Sequence, residues 1–449
     1  MWKGDFLKPP SVVSETPRSN FSPHEKPGWD LYSRCVHCGL CLDQCPTYRA
    51  LGTEMDSPRG RIYQIVQVDE GRLALSDTFV THIDRCLGCL HCQTACPSGV
   101  AYGSLLERAR AQIAENYRRP LPAAWLRQHF YVDILPSFRR LAWHARFLRL
   151  YQRSGMQWLA RASGILRLLG MADLDALSPR IDSQFSFADL GRVFPAEGER
   201  RGRVALLIGC VASVAFAELN HATIRVLTRN GIEVHIPEKQ SCCGALQLHA
   251  GLIDLARKQA RRNIDALLSP GFDAIVTNAA GCGSALKEYA SLLQDDAGYR
   301  GLALQFAAGV RDINQYLADI GLRQPKRKLS ARVTYQDPCH LAHAQGVRSA
   351  PRQLLRHIGA ETVESPRPDS CCGSAGVYNI VQNEISMKVL DEKMEYVASV
   401  QPDIIATANV GCMLQFRAGV GRRKMHARVA HVVELLDEAY RPDCADPSQ

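Results

Sequence analysis

Beyond residue 200 the chain alternates short apolar runs with stretches of helical period. Residues 204–208, 274–277, 333–335 and 404–406 are compact runs rich in β-branched and aliphatic side chains, which predicts buried strands. Between them, residues 250–268 and 384–400 space their apolar positions three and four apart, the period of an amphipathic helix. Strands alternating with helices predict parallel βαβ units. Upstream, helical periods dominate. Residues 61–68 read as helix, and residues 138–150 alternate Arg with Leu, Trp and Phe at roughly helical spacing. The expected fold is mixed: a mainly helical N-terminal domain, then a duplicated α/β domain.

Cysteine register carries the duplication. The first copy holds Cys210, then Cys242-Cys243-Gly244, then Cys282; the second holds Cys339, then Cys371-Cys372-Gly373, then Cys412. From the single Cys to the pair is 32 residues in both copies, and from the pair to the last Cys is 39 and 40. A constant offset of about 129 residues marks an internal repeat. Ligands of open α/β sheets bind beyond the carboxyl ends of strands. Each single Cys follows a predicted strand, and each pair lies on a loop before a helix, so four thiols per copy are expected at one sheet edge. Free cysteines are often simply buried, but matched spacing in both copies favours a redox or metal site in at least one. Adjacent cysteines rarely bond to each other, because the geometry is strained.

The densest chemistry lies near the N-terminus. Cys35, Cys38, Cys41 and Cys45-Pro46 form one C-x2-C-x2-C-x3-C-P run; Cys86, Cys89, Cys92 and Cys96-Pro97 form another. Three thiolates so spaced hold three corners of a [4Fe–4S] cube, and in two-cluster ferredoxins the fourth ligates the other cube. This assigns Cys35, Cys38, Cys41 and Cys96 to one cluster, and Cys86, Cys89, Cys92 and Cys45 to the other. Structural zinc pairs two C-x2-C knuckles for four ligands in all, which two complete four-Cys runs fit badly. The 40-residue spacer between the runs, with its helical segment, suggests a helical ferredoxin-like domain.

Composition adds limits. With 46% hydrophobic and 22% charged residues among 449, the chain reads as globular, with two or three domains. No long uncharged apolar run predicts a membrane span. The polar N-terminus lacks the apolar core of a secretion signal. Seventeen clustered cysteines then point to metal in a reducing, cytoplasmic compartment. A net charge of +9 comes with no nucleic-acid motif, so no nucleic-acid partner is expected. Neither a G-x-G-x-x-G nor a phosphate loop is present. His340 and His343, beside Cys339, read as hydrogen-bond donors to a ligand rather than ligands. Cys444 has no counterpart and reads as a bystander.

The wording of the motifs resembles the family of bacterial glycolate oxidase iron–sulfur subunits. The resemblance is carried by Arg34-Cys-Val-His-Cys-Gly39, Asp56-Ser-Pro-Arg-Gly-Arg-Ile-Tyr63, Asn278-Ala-Ala-Gly-Cys-Gly283, Asp337-Pro-Cys-His-Leu341 and Cys371-Cys-Gly-Ser-Ala-Gly-Val-Tyr-Asn379. It covers residues 30 to 440 and is weakest over 110 to 200. It implies a subunit of a glycolate dehydrogenase complex in which a separate FAD subunit oxidises glycolate to glyoxylate. This chain would pass the electrons to a respiratory, quinone-linked acceptor and would not turn over substrate alone. Similar layouts serve lactate, glycerol 3-phosphate and heterodisulfide chemistry. Heterodisulfide-type subunits carry one more Cys three residues past the last; here those positions are Ala285 and Gln415. A four-thiolate site is therefore expected over a five-thiolate one. A stand-alone carrier or redox sensor is the reading from another class, and the chain's size argues against it.

Residues 103–170 hold twelve arginines and three acidic residues, with Trp125, Trp143 and Trp158 interleaved. Two readings stay open: a basic amphipathic surface for peripheral contact with the inner face of the cell membrane, or a linker packing its apolar face on its neighbours. The expected division is 25–115 for the two-cluster domain, 116–200 for a basic helical connector, and 201–325 and 326–440 for the two cysteine-rich repeats. Anaerobically purified protein should hold roughly eight irons per chain from the two cubes, with any excess reporting repeat centres. Stoichiometric zinc with little iron would sink this reading.

Overall fold

A computed structural model describes residues 19–441; Cys444 and the start of the polar N-terminus lie outside the described residues. The C-terminal half carries two sheets. In the first, β1 (Val193–Phe194), β2 (Gly202–Leu207), β3 (Ile232–His235), β4 (Ala274–Thr277) and β5 (Val310–Asp312) lie in the order β1-β3-β2-β4-β5. In the second, β6 (Arg332–Tyr335), β7 (Glu361–Thr362), β8 (Ile404–Thr407) and β9 (Arg428–His431) lie in the order β7-β6-β8-β9. All pairings are parallel except β1 with β3. Removing β1 leaves the same strand order twice, so the duplication predicted from cysteine spacing is a duplication of fold.

The four apolar runs are the first and third strands of each repeat. These strands lie inside their sheets, and β4 and β8 are buried at every residue, as parallel strands covered on both faces must be. The strands that the sequence did not single out are edges or alternate. β5, β7 and β9 end the sheets and carry Arg311, Glu361 and Arg428, while β3 alternates Ile and Val with Glu and His. The expected helices appear as Pro58–Asp69, Phe138–Arg153, Ile253–Leu267 and Asn383–Ala398. Cys282 lies in the first turn of helix Ala280–Leu292, just past β4, and Cys412 likewise in Val410–Arg423, just past β8.

The two repeats share one core. Val204 and Leu206 of the first and Ile405 and Leu436 of the second belong to a single apolar cluster. The last helix, Val432–Tyr440, packs on Ala217–Arg229 of the first repeat. There Asp437 is buried and accepts from Arg225 (2.8 Å) and Arg229 (3.0 Å).

Helices Pro58–Asp69, Asp77–Asp84 and Tyr102–Asn116 form the N-terminal core around Ile65, Phe79, Ile83 and Leu105. Ser57 caps the first by accepting from the Gly60 amide (2.9 Å), with Pro58 following it. Asp56 and Arg61 are wholly buried here. Arg61 reaches Asp56 (3.3 Å), the Thr47 hydroxyl (3.0 Å) and the His82 carbonyl (2.7 Å), and Arg85 completes Asp56 (3.1 Å). Removing one partner of such a buried set leaves a charge with neither water nor counter-ion. Asp56→Asn should therefore cost about 3–5 kcal/mol of stability, read as a lower thermal unfolding midpoint of the anaerobic protein; an unchanged midpoint would dismiss the cluster as a structural element.

Candidate metal centres

Each N-terminal cysteine run is a loop that twice enters the left-handed region, at His37 (φ 54°) and Gly39 (φ 85°) in the first and at Gly88 (φ 64°) and Leu90 (φ 61°) in the second. These are matching positions, two after the first Cys and one after the second. Left-handed backbone costs roughly 1 kcal/mol or more at His37 and Leu90, and in return the loop turns its thiols inward. Two cavities result. One is lined by Cys35, Cys38, Cys41 and Cys96, with Cys92 between it and its neighbour. The other is lined by Cys45, Cys86, Cys89 and Cys92. Thus Cys45 lies with the second run and Cys96 with the first.

The two cavities differ in exposure. Cys38 is exposed and Cys35, Cys41 and Cys96 are half-buried, with Val36 and Leu40 exposed on the rim. Cys45, Cys86, Cys89 and Cys92 are all buried. The Gly88 amide donates to Cys86 Sγ (3.4 Å), and Thr47 lies against Cys45 Sγ (3.2 Å). Burial pushes the Cys41 thiol up to about 11. Burial also pushes the Cys92 thiol up, with neighbouring thiols adding to it. Such thiols become thiolates only beside a cation. Arg61 supplies part of that charge: burial pulls its guanidinium down, but Cys86, Tyr102, Cys45 and Asp56 raise it more.

The repeats build two further thiol sets. In the first, Cys242 lies 3.6 Å from Cys210, and Cys243 lies 3.3 Å from Cys282. These are contacts between free thiols, well beyond a disulfide bond length. Cys210 and then Cys243 hold Cys242 well below its ordinary value by hydrogen bonding to its sulfur. In the second set, the neighbouring sulfurs of Cys339, Cys372 and Cys89 push the Cys371 thiol well up, and Cys372 is held low by Cys371 first and Cys412 next. The Gly373 amide donates to Cys371 Sγ and Asn409 to Cys412 Sγ, both at 3.4 Å. Each repeat thus gathers four buried or half-buried sulfurs, in the second with donors aimed at them, a soft ligand set of the kind that iron–sulfur clusters use.

No pattern along the chain signals that Cys89 of the N-terminal unit meets Cys371 of the second repeat, within an apolar cluster that includes Leu87, Tyr378 and Ile385. Lys393 was missed too. It is 2% exposed and donates to the carbonyls of Arg367 (2.8 Å) and Pro368 (2.9 Å) and to Ser370 (3.3 Å), just before the Cys371 loop. Burial lowers its ammonium to about 8. Its place on the buried stripe of Val389, Leu390, Met394 and Val397 was the available signal, as Arg61 among Ile62, Ile65 and Val68 was for its site. His340 lies against Cys339 (3.6 Å). Burial pulls its imidazole down, but Cys339 raises it further, to about 9. His91, His343 and Asp369 also converge, but the Arg348 guanidinium already fills that group, bonding Asp369 (2.8 Å) and His343 (3.1 Å).

Comparison with known proteins agrees with this layout. The 4Fe-4S dicluster domain family matches residues 32–100, and the cysteine-rich domain family matches 204–287 and 333–417. Between them, the linker region of the glycolate oxidase iron–sulfur subunit matches 122–178. The probable glycolate oxidase iron–sulfur subunit of Bacillus subtilis is 39% identical over 413 residues, 90% of this chain and 93% of that protein. The glycolate oxidase iron–sulfur subunit of Escherichia coli is 34% identical over 412 residues, with the same coverage. Lactate utilization protein A of Geobacillus kaustophilus is 30% identical over 237 residues, 52% of this chain and 98% of that protein. With two such relatives along nine-tenths of its length, and with all three of its regions matched in order, the chain belongs to the glycolate oxidase iron–sulfur subunit family.

Proposed function

We propose that this chain is the electron relay of a glycolate-oxidising complex. It accepts electrons from FAD held by a separate subunit and hands them towards a respiratory acceptor at the inner face of the cell membrane. The observation that carries the reading is a continuous row of thiol sets. The half-exposed set meets the buried set at Cys92, and the buried set meets the second repeat where Cys89 touches Cys371. Iron–sulfur clusters, when bound, supply one-electron carriers.

The residues divide the work. Cys35, Cys38, Cys41 and Cys96 hold one cube; Cys86, Cys89, Cys92 and Cys45 hold the other. Cys339, Cys371, Cys372 and Cys412 hold a further centre, for which Cys210, Cys242, Cys243 and Cys282 are the equivalent set. Amide donors at Gly88 and Gly373 and the buried charges of Arg61 and Lys393 stabilise negative charge on the sulfurs. Apolar packing by Leu87, Tyr378 and Ile385 excludes water where the second and third sets meet. The units of this relay are the two-cluster domain at 25–115, the connector at 116–200, and the repeats at 201–325 and 326–440. An equivalent relay for lactate is the second reading, favoured by the half-chain similarity to lactate utilization protein A.

Two experiments test the proposal. The complex purified with its flavoprotein should reduce a dye with glycolate, and the isolated chain should not. Turnover of lactate or glycerol 3-phosphate in place of glycolate would move the assignment to a sister complex, and turnover by the flavin-free chain would end it. For the ligand sets, Cys45→Ser should alter the electron paramagnetic signal of the cluster held by Cys86, Cys89 and Cys92. A change confined to the cluster of Cys35, Cys38 and Cys41 would refute crossed ligation.

A further inference from the structure

The connector presents an apolar surface that none of the described residues covers. Thirteen of the twenty-three exposed large hydrophobic residues among those described fall within residues 121–171, among them Leu121 at 86%, Trp125 at 66% and Trp158 at 72% exposure. The same stretch holds eight arginines against one acidic residue, Asp133.

Helix Phe138–Arg153 orders these residues. Its inner face, with Leu141, Ala145 and Leu148, packs on the shared core of the repeats. At 100° per residue, Trp143, Phe147 and Leu150 form a second apolar stripe on the opposite side. All three are more than half exposed, and the Trp143 and Phe147 rings meet at 4.3 Å. The same periodicity sets Arg139, Arg146 and Arg153 along one flank of the stripe and Arg140 along the other. Among the described residues, Arg139, Arg146 and Arg153 form no ion pair, whereas Arg140 and Arg161 have Asp133 and Asp175.

We propose that this stripe and its arginines dock the protein on an anionic phospholipid surface. Both open readings of the connector from sequence are then satisfied at once, by opposite faces of one helix. Protein interfaces also favour tryptophan and arginine, but there a buried apolar face is met by a partner's matching surface, whereas this face carries a one-sided excess of positive charge. Unpaired Arg139, Arg146 and Arg153 run along one flank of the stripe, and exposed tryptophans recur on the helices Leu121–Gln128, Phe138–Arg153 and Met156–Ala162, the arrangement of segments that lie in an anionic bilayer interface. The proposal takes from the respiratory reading only which membrane is meant.

The test is flotation of the iron-loaded chain with vesicles of phosphatidylcholine alone or enriched in phosphatidylglycerol. Wild type should bind the anionic vesicles, more weakly as salt rises, and at least about tenfold more weakly without the anionic lipid. The variant Trp143→Gln/Phe147→Gln/Leu150→Gln and the variant Arg139→Gln/Arg146→Gln/Arg153→Gln should each lose about tenfold or more. Both should keep wild-type iron content and circular dichroism, because the replaced side chains are solvent-facing. Leu302→Gln/Leu304→Gln, at exposed apolar positions elsewhere, should bind like wild type. The proposal falls if wild type ignores anionic vesicles or if both connector variants float unchanged. It falls equally if the apolar variant keeps vesicle binding but loses the flavoprotein subunit or self-association, for the face would then be a protein interface. None of these readouts involves glycolate, so loss of the glycolate assignment leaves the membrane test standing.

Discussion

Negative charge on buried sulfur is the constraint around which this protein is organised. A thiol becomes a ligand only as thiolate, and a thiolate removed from water must be balanced by a cation, by hydrogen-bond donors, or by both. Sixteen cysteines are described, and most are buried or half-buried. Around them the backbone accepts left-handed turns at His37 and Leu90, amides point at Cys86 and Cys371, and Arg61 is held with no contact to water. Asp56 in turn fixes Arg61, so an ion cluster that looks structural also keeps a positive charge beside Cys45 and Cys86.

The same constraint separates the two repeats, which share strand order and thiol spacing. In the second, Lys393 grips the loop ahead of Cys371 through Ser370 and two carbonyls. The matching position in the first, 130 residues earlier, is Asn263, which grips the matching loop through the Ser241 amide (2.8 Å) and the Cys242 carbonyl (3.0 Å). The mechanical role is retained and the charge is not. His340 adds a second cationic neighbour in the second repeat. Duplication thus produced two thiol sets of one geometry in different electrostatic surroundings. The more positively charged set is the one that touches Cys89.

What could be read from the sequence follows from the range of each interaction. Strands β2, β4, β6 and β8 were legible because burial forces continuous apolar runs, and the duplication was legible because the cysteine intervals match in both copies. Edge strands β5, β7 and β9 were not, since an edge tolerates Arg311, Glu361 and Arg428. The assembly of the thiol sets into a row was invisible because it depends on a contact between residues 89 and 371, which no local pattern encodes. Buried Arg61 and Lys393 leave only a faint mark, a charge on the apolar stripe of a helix.

Contact between the sets has an electrostatic consequence. At the effective dielectric of a protein interior, unit charges about 10 Å apart interact by roughly 1.7 kcal/mol, so a charge arriving at one set raises the cost of a charge at the next. Arg61 stands against Cys45 and Cys86, and Lys393 stands behind Cys371 and Cys372. Each fixed cation therefore lowers the cost of negative charge at its own set. The half-exposed set with Cys38 at its edge needs less such help, because water reaches it. Along this row the two cations stand at the buried sets, where solvent cannot screen the sulfurs.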